Sequence, residues 1–316
     1  MEKYGIFDIS DVSVSNLSAA AMDESRAFEL RLCEMSFFAD SIARQIKALT
    51  EDGMSVSEAL ALLSGELEIQ SSDMHGGVIP ETEGGVREFA KTLEAHDKAN
   101  FSLLLTEKLK SRGIGVSESD FLFEAPTDES FVYVRSALAD EAFDVFSQEY
   151  SDPRIVYAES FKKACFDVAD GKCGYCILPF EEKSSVRIPS IAGLVSDLDL
   201  KIVAITPVFG FEGNADMKYA LIGRSFKIPE CDELTDRYFE ITVPKSSVSL
   251  RELLSVAEML GEGIYKIDTS LSVDGNGSGY YSIIFKDGGD TFLNLLVYLS
   301  LFAEEYTPVG IYKNIE

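Results

Sequence analysis

Tryptophan is absent from this chain, histidine occurs twice, and cysteine occurs five times, an odd number. With only His75 and His96, a Ser-His-Asp machine or a histidine-rich metal centre is short of parts, and neither a metal nor a cofactor is expected. Odd cysteine usage without a secretory opening argues for reduced thiols rather than a disulfide framework. Basic residues are scarce too, 28 Lys and Arg against 54 Asp and Glu, a formal net charge of −26. Nucleic acid and anionic lipid carry the same sign, so neither is an expected partner. Long hydrophobic runs are missing: the greasiest stretch, "FLNLLVYLSLF", falls short of the roughly 20 residues that cross a bilayer. No basic start precedes an apolar run at the N-terminus, and a cytoplasmic protein is expected.

What is present divides into blocks. A chain of 316 residues has room for two or three units at roughly 100–200 residues each. Residues 1–127 read as helical. Phe28, Leu32, Met35, Ala39, Ile42, Ile46 and Leu49 recur at alternating spacings of four and three, a seam that wants a second helix against it, in the same chain or in a second copy. Ser55 with Glu58 opens a second helix that Gly65 closes, and "VREFAKTLEAHDKANFSLLLTEKLKSRG" reads as a third.

After "EAPTDES" short strands alternate with helices: "FVYVRS", "RIVYAE", "GYCILPFE" and "KIVAITPVF" are separated by "LADEAFDVFSQEY", "SFKKACFDVADG" and "PSIAGLVSDL". That order predicts a mainly parallel sheet covered by helices over residues 128–231. Residues 232–316 read as βαββαβ, a ferredoxin-like unit: "YFEITV", a helix opened by Ser249 and Glu252, the hairpin "YKIDTSLSV"–"DGNGSG"–"YYSIIF", a second helix and "PVGIYKNI". The fold class expected is therefore α+β and multidomain.

Cys173-Gly174-Tyr175-Cys176 is spelled like a thiol redox pair. Such a pair works with its first thiol at a helix N-terminus after a strand, whereas here the helix ends at Gly171 before the pair and a strand follows. If both cysteines lie on that strand, their sulfurs point to opposite faces. Cys165 and Cys176 are read as core, and no second ligand pair for zinc is apparent.

"ESFKKACFDVADGKCGYCILPFEEKSS" followed by "LKIVAITPV" resembles the prephenate dehydratases, in which a Glu-Ser-Phe helix leads into a strand ending Val-Pro-Ile-Glu-Asn-Ser. The ferredoxin-like unit is similar to the ACT domain that follows in that family. The N-terminal helices occupy the place of a chorismate mutase in the bifunctional layout. The resemblance runs from about Phe131 to the C-terminus and implies half of a periplasmic-binding-protein-like clamp, because only about eight residues separate Val208 from Met217, where the family carries a second lobe. It implies a lyase of phenylalanine biosynthesis that turns prephenate into phenylpyruvate, carbon dioxide and water.

Carried over by residue, Pro179 and Glu181 match the strand motif, Glu182 and Lys183 stand where it has Asn and Ser, and Ser184 falls one place late. Met217, Lys218 and Tyr219 replace the family's Thr-Arg-Phe. The catalytic candidates are thus Glu181, Lys183, Ser184 and Lys218, the two lysines holding substrate carboxylates and Ser184 replacing the missing hydroxyl. In the ACT-like unit Val248, Ser249 and Leu250 replace Gly-Ala-Leu, Asp268 begins the replacement of Glu-Ser-Arg-Pro, and Lys266 and Ile267 match. Val248, Ser249, Leu250, Lys266 and Asp268 are the ligand-binding candidates. The expected partners are prephenate or an aromatic amino-acid effector, and a second copy in a homodimer. The alternative function is a non-catalytic ACT-containing scaffold or amino-acid sensor.

Overall fold

The computed structural model describes residues 19–64, 89, 92–125, 127–182, 186–209, 215–230, 236–246, 249–271, 279–289, 291–303 and 305–315. Helix α1 (Ala19–Glu51) lays Met35, Ala39, Ile42, Ile46 and Leu49 into a core shared with α2 (Val56–Ser64) and α3 (Ala95–Ser111). The seam read from the sequence is used inside the chain from Leu32 onward, while Phe28, 48% exposed, lies off it. Ser55 and Glu58 cap α2 reciprocally: the Glu58 N–H donates to Ser55 Oγ (3.3 Å) and the Ser55 N–H to Glu58 Oε2 (2.9 Å). The stretch read as a third helix is interrupted: Phe89 and Thr92 are helical, Glu94 is extended (ψ 169°), and α3 runs from Ala95.

Among the described residues nine strands follow, interleaved with five helices: β1 (Ser130–Tyr133), α4 (Ala137–Phe146), β2 (Arg154–Tyr157), α5 (Phe161–Ala169), β3 (Tyr175–Glu182), α6 (Pro189–Asp197), β4 (Lys201–Phe209) and β5 (Ala215–Gly223), then β6 (Arg237–Pro244), α7 (Leu250–Met259), β7 (Gly263–Leu271), β8 (Gly279–Lys286), α8 (Phe292–Phe302) and β9 (Thr307–Asn314). They form one sheet of order β2-β1-β3-β5-β4-β9-β6-β8-β7. Side-chain caps start α4 and α5, where Ser136 Oγ accepts from the Ala139 N–H and Ser160 Oγ from the Lys163 N–H.

The sheet is mixed, which corrects the expectation of mainly parallel pairing. β1 pairs parallel with β2 and β3, but β5 inserts antiparallel between β3 and β4. The sequence "ADMKYALIG" carries no strand in the sequence reading, and the strand it forms turns a βαβ run into an antiparallel centre. Among residues 237–314 all pairings are antiparallel in the order β9-β6-β8-β7, that of a split βαβ arrangement.

The two parts of the sheet meet where β4 pairs parallel with β9. A Cβ on Gly310 would lie 2.6 Å from Ile202 Cβ, so glycine is what lets these strands approach. One face carries α7 and α8, packed on Phe239, Ile241, Ile283, Phe285 and Ile311. Val297 and Leu301 on the other side of α8 belong to the core of the N-terminal helices. The greasy run "FLNLLVYLSLF" is thus a helix covered on every side. Among the described residues no helix is long and apolar enough to cross a membrane.

The opposite face gathers Cys165, Val168, Cys176, Leu178, Ile191, Val195, Ile202 and Ile205 with Tyr238, Ile284 and Tyr312 into a single core. Residues from β3 and from β8 share it although five places separate those strands in the sheet order. Cys165 and Cys176 are fully buried in it, as expected of core thiols. Cys173 joins the same core, against the expectation of opposite faces, because it lies in the turn before β3 and the alternation of a strand does not reach it.

Candidate functional site

The site begins with a proline. Pro179 has no N–H to give the β3–β5 ladder, and the register shifts there: Pro179 pairs with Tyr219 and Glu181 already with Lys218. Proline inside a sheet is tolerated at such a bulge. The bulge sets Glu181, 5% exposed, beside Lys218 Nζ at 3.1 Å. Val186–Ile188 run back antiparallel beside the end of β3, with Glu182 N–H bonded to Val186 O and Ile188 N–H to Phe180 O, both 3.0 Å. This pairing carries Arg187 inward, its guanidinium 4.8 Å from the Phe180 ring centroid.

Arg187 meets Glu240 of β6, both terminal nitrogens donating to its two carboxylate oxygens in a fork-to-fork pair. Glu240 is fully buried. It also accepts from Ser282 Oγ at 2.9 Å and from Tyr312 OH at 3.3 Å. Burial opposes the charge on Arg187, yet Glu240, with Tyr312 and Glu181, holds its pKa above the usual arginine value. Burial first, and then the Glu240 charge, push the Tyr312 phenol well above its ordinary value, so it serves as a donor.

Lys266 on β7 completes the group, its Nζ 3.3 Å from Glu181 Oε1 and 2.9 Å from Asp268 Oδ2. β3 and β7 stand six places apart in the sheet order, which in a flat sheet would separate them by about 29 Å at ~4.8 Å per strand. Glu181 and Lys266 touch because the sheet is rolled, with α6 held in its concave side. The site is the ionic seam where the roll closes. Among the described residues it holds three carboxylates, Glu181, Glu240 and Asp268, and three cations, Arg187, Lys218 and Lys266. Lys218 and Lys266 keep 30% and 22% of their side chains exposed, so the seam opens to solvent on the lysine side.

Of the residues singled out in the sequence, Glu181, Lys218, Lys266 and Asp268 come together, although they were assigned to two different sites. Ser249 and Leu250 do not join them: Ser249 Oγ caps α7 by accepting from the Glu252 N–H (3.4 Å), and Leu250 packs on the core beneath that helix, on the other face of the sheet. Lys183, Ser184 and Val248 lie outside the described residues. Sequence reasoning gives Arg187 only as a charge that offsets Glu182, and misses Glu240, Ser282 and Tyr312 altogether. Glu240 had a signal, being the single charge inside the apolar strand "YFEITV".

No family model matches this chain, and no curated protein matches it. Among solved structures it is similar to a prephenate dehydratase from Streptococcus mutans, at 13% identity and a TM-score of 0.49, over 60% of this chain and 100% of that one. It is also similar to GqqA, a novel type of quorum quenching acylase, at 18% identity and a TM-score of 0.44 over 58% of this chain and 93% of that one. A prephenate dehydratase from Arthrobacter aurescens in complex with L-Phe is similar at 13% identity and a TM-score of 0.42, over 58% of this chain and 89% of that one.

Proposed function

We propose that this chain is a divergent relative of the prephenate dehydratases that holds a small zwitterion, an aromatic amino acid, at the ionic seam and acts as a sensor or scaffold rather than as a lyase. In this reading residues 1–127, 128–231 and 232–316 are the helical, dehydratase-like and ACT-like units. The observation that carries it is the charge balance of the seam. Prephenate is a dianion, and binding it requires an excess of positive charge over the groups already paired. Among the described residues three carboxylates face three cations here, and Lys218 and Lys266 are each engaged with Glu181. An amino acid brings one charge of each sign, so its carboxylate can take Lys218 and Lys266 while its ammonium takes Glu181, with no net charge buried. Catalysis would also need a positioned acid to help the ring hydroxyl leave, and at the place of the family's threonine stands Met217.

Two arms test the reading. Incubation with prephenate is expected to give no phenylpyruvate above the uncatalysed rate, and the melting temperature is expected to rise with L-phenylalanine or L-tyrosine, since a ligand that binds only the folded state stabilises it. Phenylpyruvate formation that falls in Lys218→Ala would establish the lyase instead, and no shift with any amino acid would leave the seam a purely structural lock.

A further inference from the structure

We infer that strand β2, the open edge of the sheet, is where two copies of this chain pair, antiparallel about a two-fold axis through Val156. Parallel strands are ordinarily covered on both faces, yet every residue of β2 is exposed: Ile155 by 43%, Val156 by 40% and Tyr157 by 51%. After Arg154 the strand has no charge, proline or bulge to discourage pairing at its edge. Phe161 and Phe166 of the neighbouring helix α5 are also more than a third exposed.

The backbone fixes the register. Arg154 N–H donates to Glu129 O and Ala158 N–H to Tyr133 O, both at 2.9 Å, so even-numbered positions face β1 and the peptide groups of Ile155 and Tyr157 face outward. An antiparallel mate centred on Val156 sets Ile155 opposite the partner's Tyr157, so that these outward groups satisfy one another in two symmetric pairs. The same register keeps Ile155 and Tyr157 on one face of the joined sheet and the two copies of Val156 on the other.

The charges agree with that direction. Asp128, Glu129 and Asp152 lie at the N-terminal end of β1 and β2, held among themselves and their neighbours by Ser130, Ser151 and Arg154. At the other end Arg135, over the Tyr157 ring, and Lys162, over Phe166, outnumber the exposed Glu159. Antiparallel pairing brings the acidic end of each copy to the basic end of the other, whereas most of a surface with net charge −26 would repel its own copy. The occupant is therefore a second copy rather than an unrelated strand.

Sedimentation equilibrium of the full chain is expected to give about twice the mass of the 34.8 kDa protomer, and Val156→Lys, which sets two like charges against each other on the axis, is expected to give a monomer. In a Cys33→Ser background, which removes an exposed thiol, Val156→Cys should form a disulfide-linked dimer on air oxidation. Facing residues of a non-hydrogen-bonded pair stand about 4.5 Å apart at Cα, inside the ~4.4–6.8 Å that a disulfide spans. A wild-type monomer, a Val156→Lys dimer of unchanged mass, or a Val156→Cys chain that stays uncrosslinked would each overturn the inference. The cysteine variant is close in size to the residue it replaces and decides the matter if the lysine variant fails to fold.

Discussion

Glu240 is fully buried, and the four oxygen and nitrogen partners that surround it, two from Arg187 and one each from Ser282 and Tyr312, explain why a carboxylate can sit inside a sheet. Removing one member of such a pair strands the other. Glu240→Ala should cost about 3–5 kcal/mol, read by urea unfolding, and Glu240→Gln, which keeps hydrogen-bonding atoms for Ser282 and Tyr312, should cost less. Glu262 behaves differently. Burial is the main force on it and Asp287 adds to it, together outweighing the Gly288 N–H, Thr291 Oγ1 and Arg237, so its pKa is pushed up to about 7 from 4.5. The folded chain thus holds this proton more tightly than the unfolded one. The stability it contributes is complete below about pH 4.5 and is lost as pH rises through about 7. Glu262→Gln should flatten that decline, on the order of 2 kcal/mol, when unfolding midpoints are compared at acid and mildly alkaline pH. Cys176, buried against Cys165, has its thiol pKa raised by burial and by that neighbour. A thiol reagent on the native chain should accordingly modify Cys33 and spare Cys165 and Cys176.

At the scale of elements, the segment from α5 to β3 was the most legible part of the chain. The helix "SFKKACFDVAD" begins at a serine cap and ends where Gly171 takes φ 73°, both readable from residue type. Gly174 is stricter than its place in a cysteine motif suggests. A Cβ there would lie 1.8 Å from Asp128 O, and its N–H is held by Ser130 Oγ at 2.9 Å. Gly174→Ala should therefore lower the melting temperature by several degrees or prevent folding, while Ser160→Ala, which removes only a cap, should cost about 1 kcal/mol. Less legible was β5. "ADMKYALIG" alternates imperfectly, and no local rule says that a strand placed last among five will be inserted between the two before it. The bulge at Pro179 was equally hidden, although the proline was seen, because it depends on the register with that unforeseen strand. The candidate residues Glu181 and Lys218 were visible from a family resemblance, but their pairing follows from the bulge.

Over the whole molecule the decisive feature is the roll of a nine-stranded sheet, which brings Glu181, Arg187 and Lys218 from one end of the chain's α/β part against Glu240, Lys266 and Asp268 from the other. Strand order alone separates these groups, and sequence alone assigned them to separate sites. Twist is intrinsic to strands, but the closing contact depends on side chains 85 residues apart, Glu181 and Lys266, whose charges cancel. The measurement that tests the account most directly is calorimetric titration of L-phenylalanine into the full chain, repeated with Lys218→Met and Glu181→Gln. Saturable binding at one site per chain is expected, weakened at least tenfold by both substitutions. Absence of binding by any aromatic amino acid, with prephenate consumed by the same preparation, would contradict it.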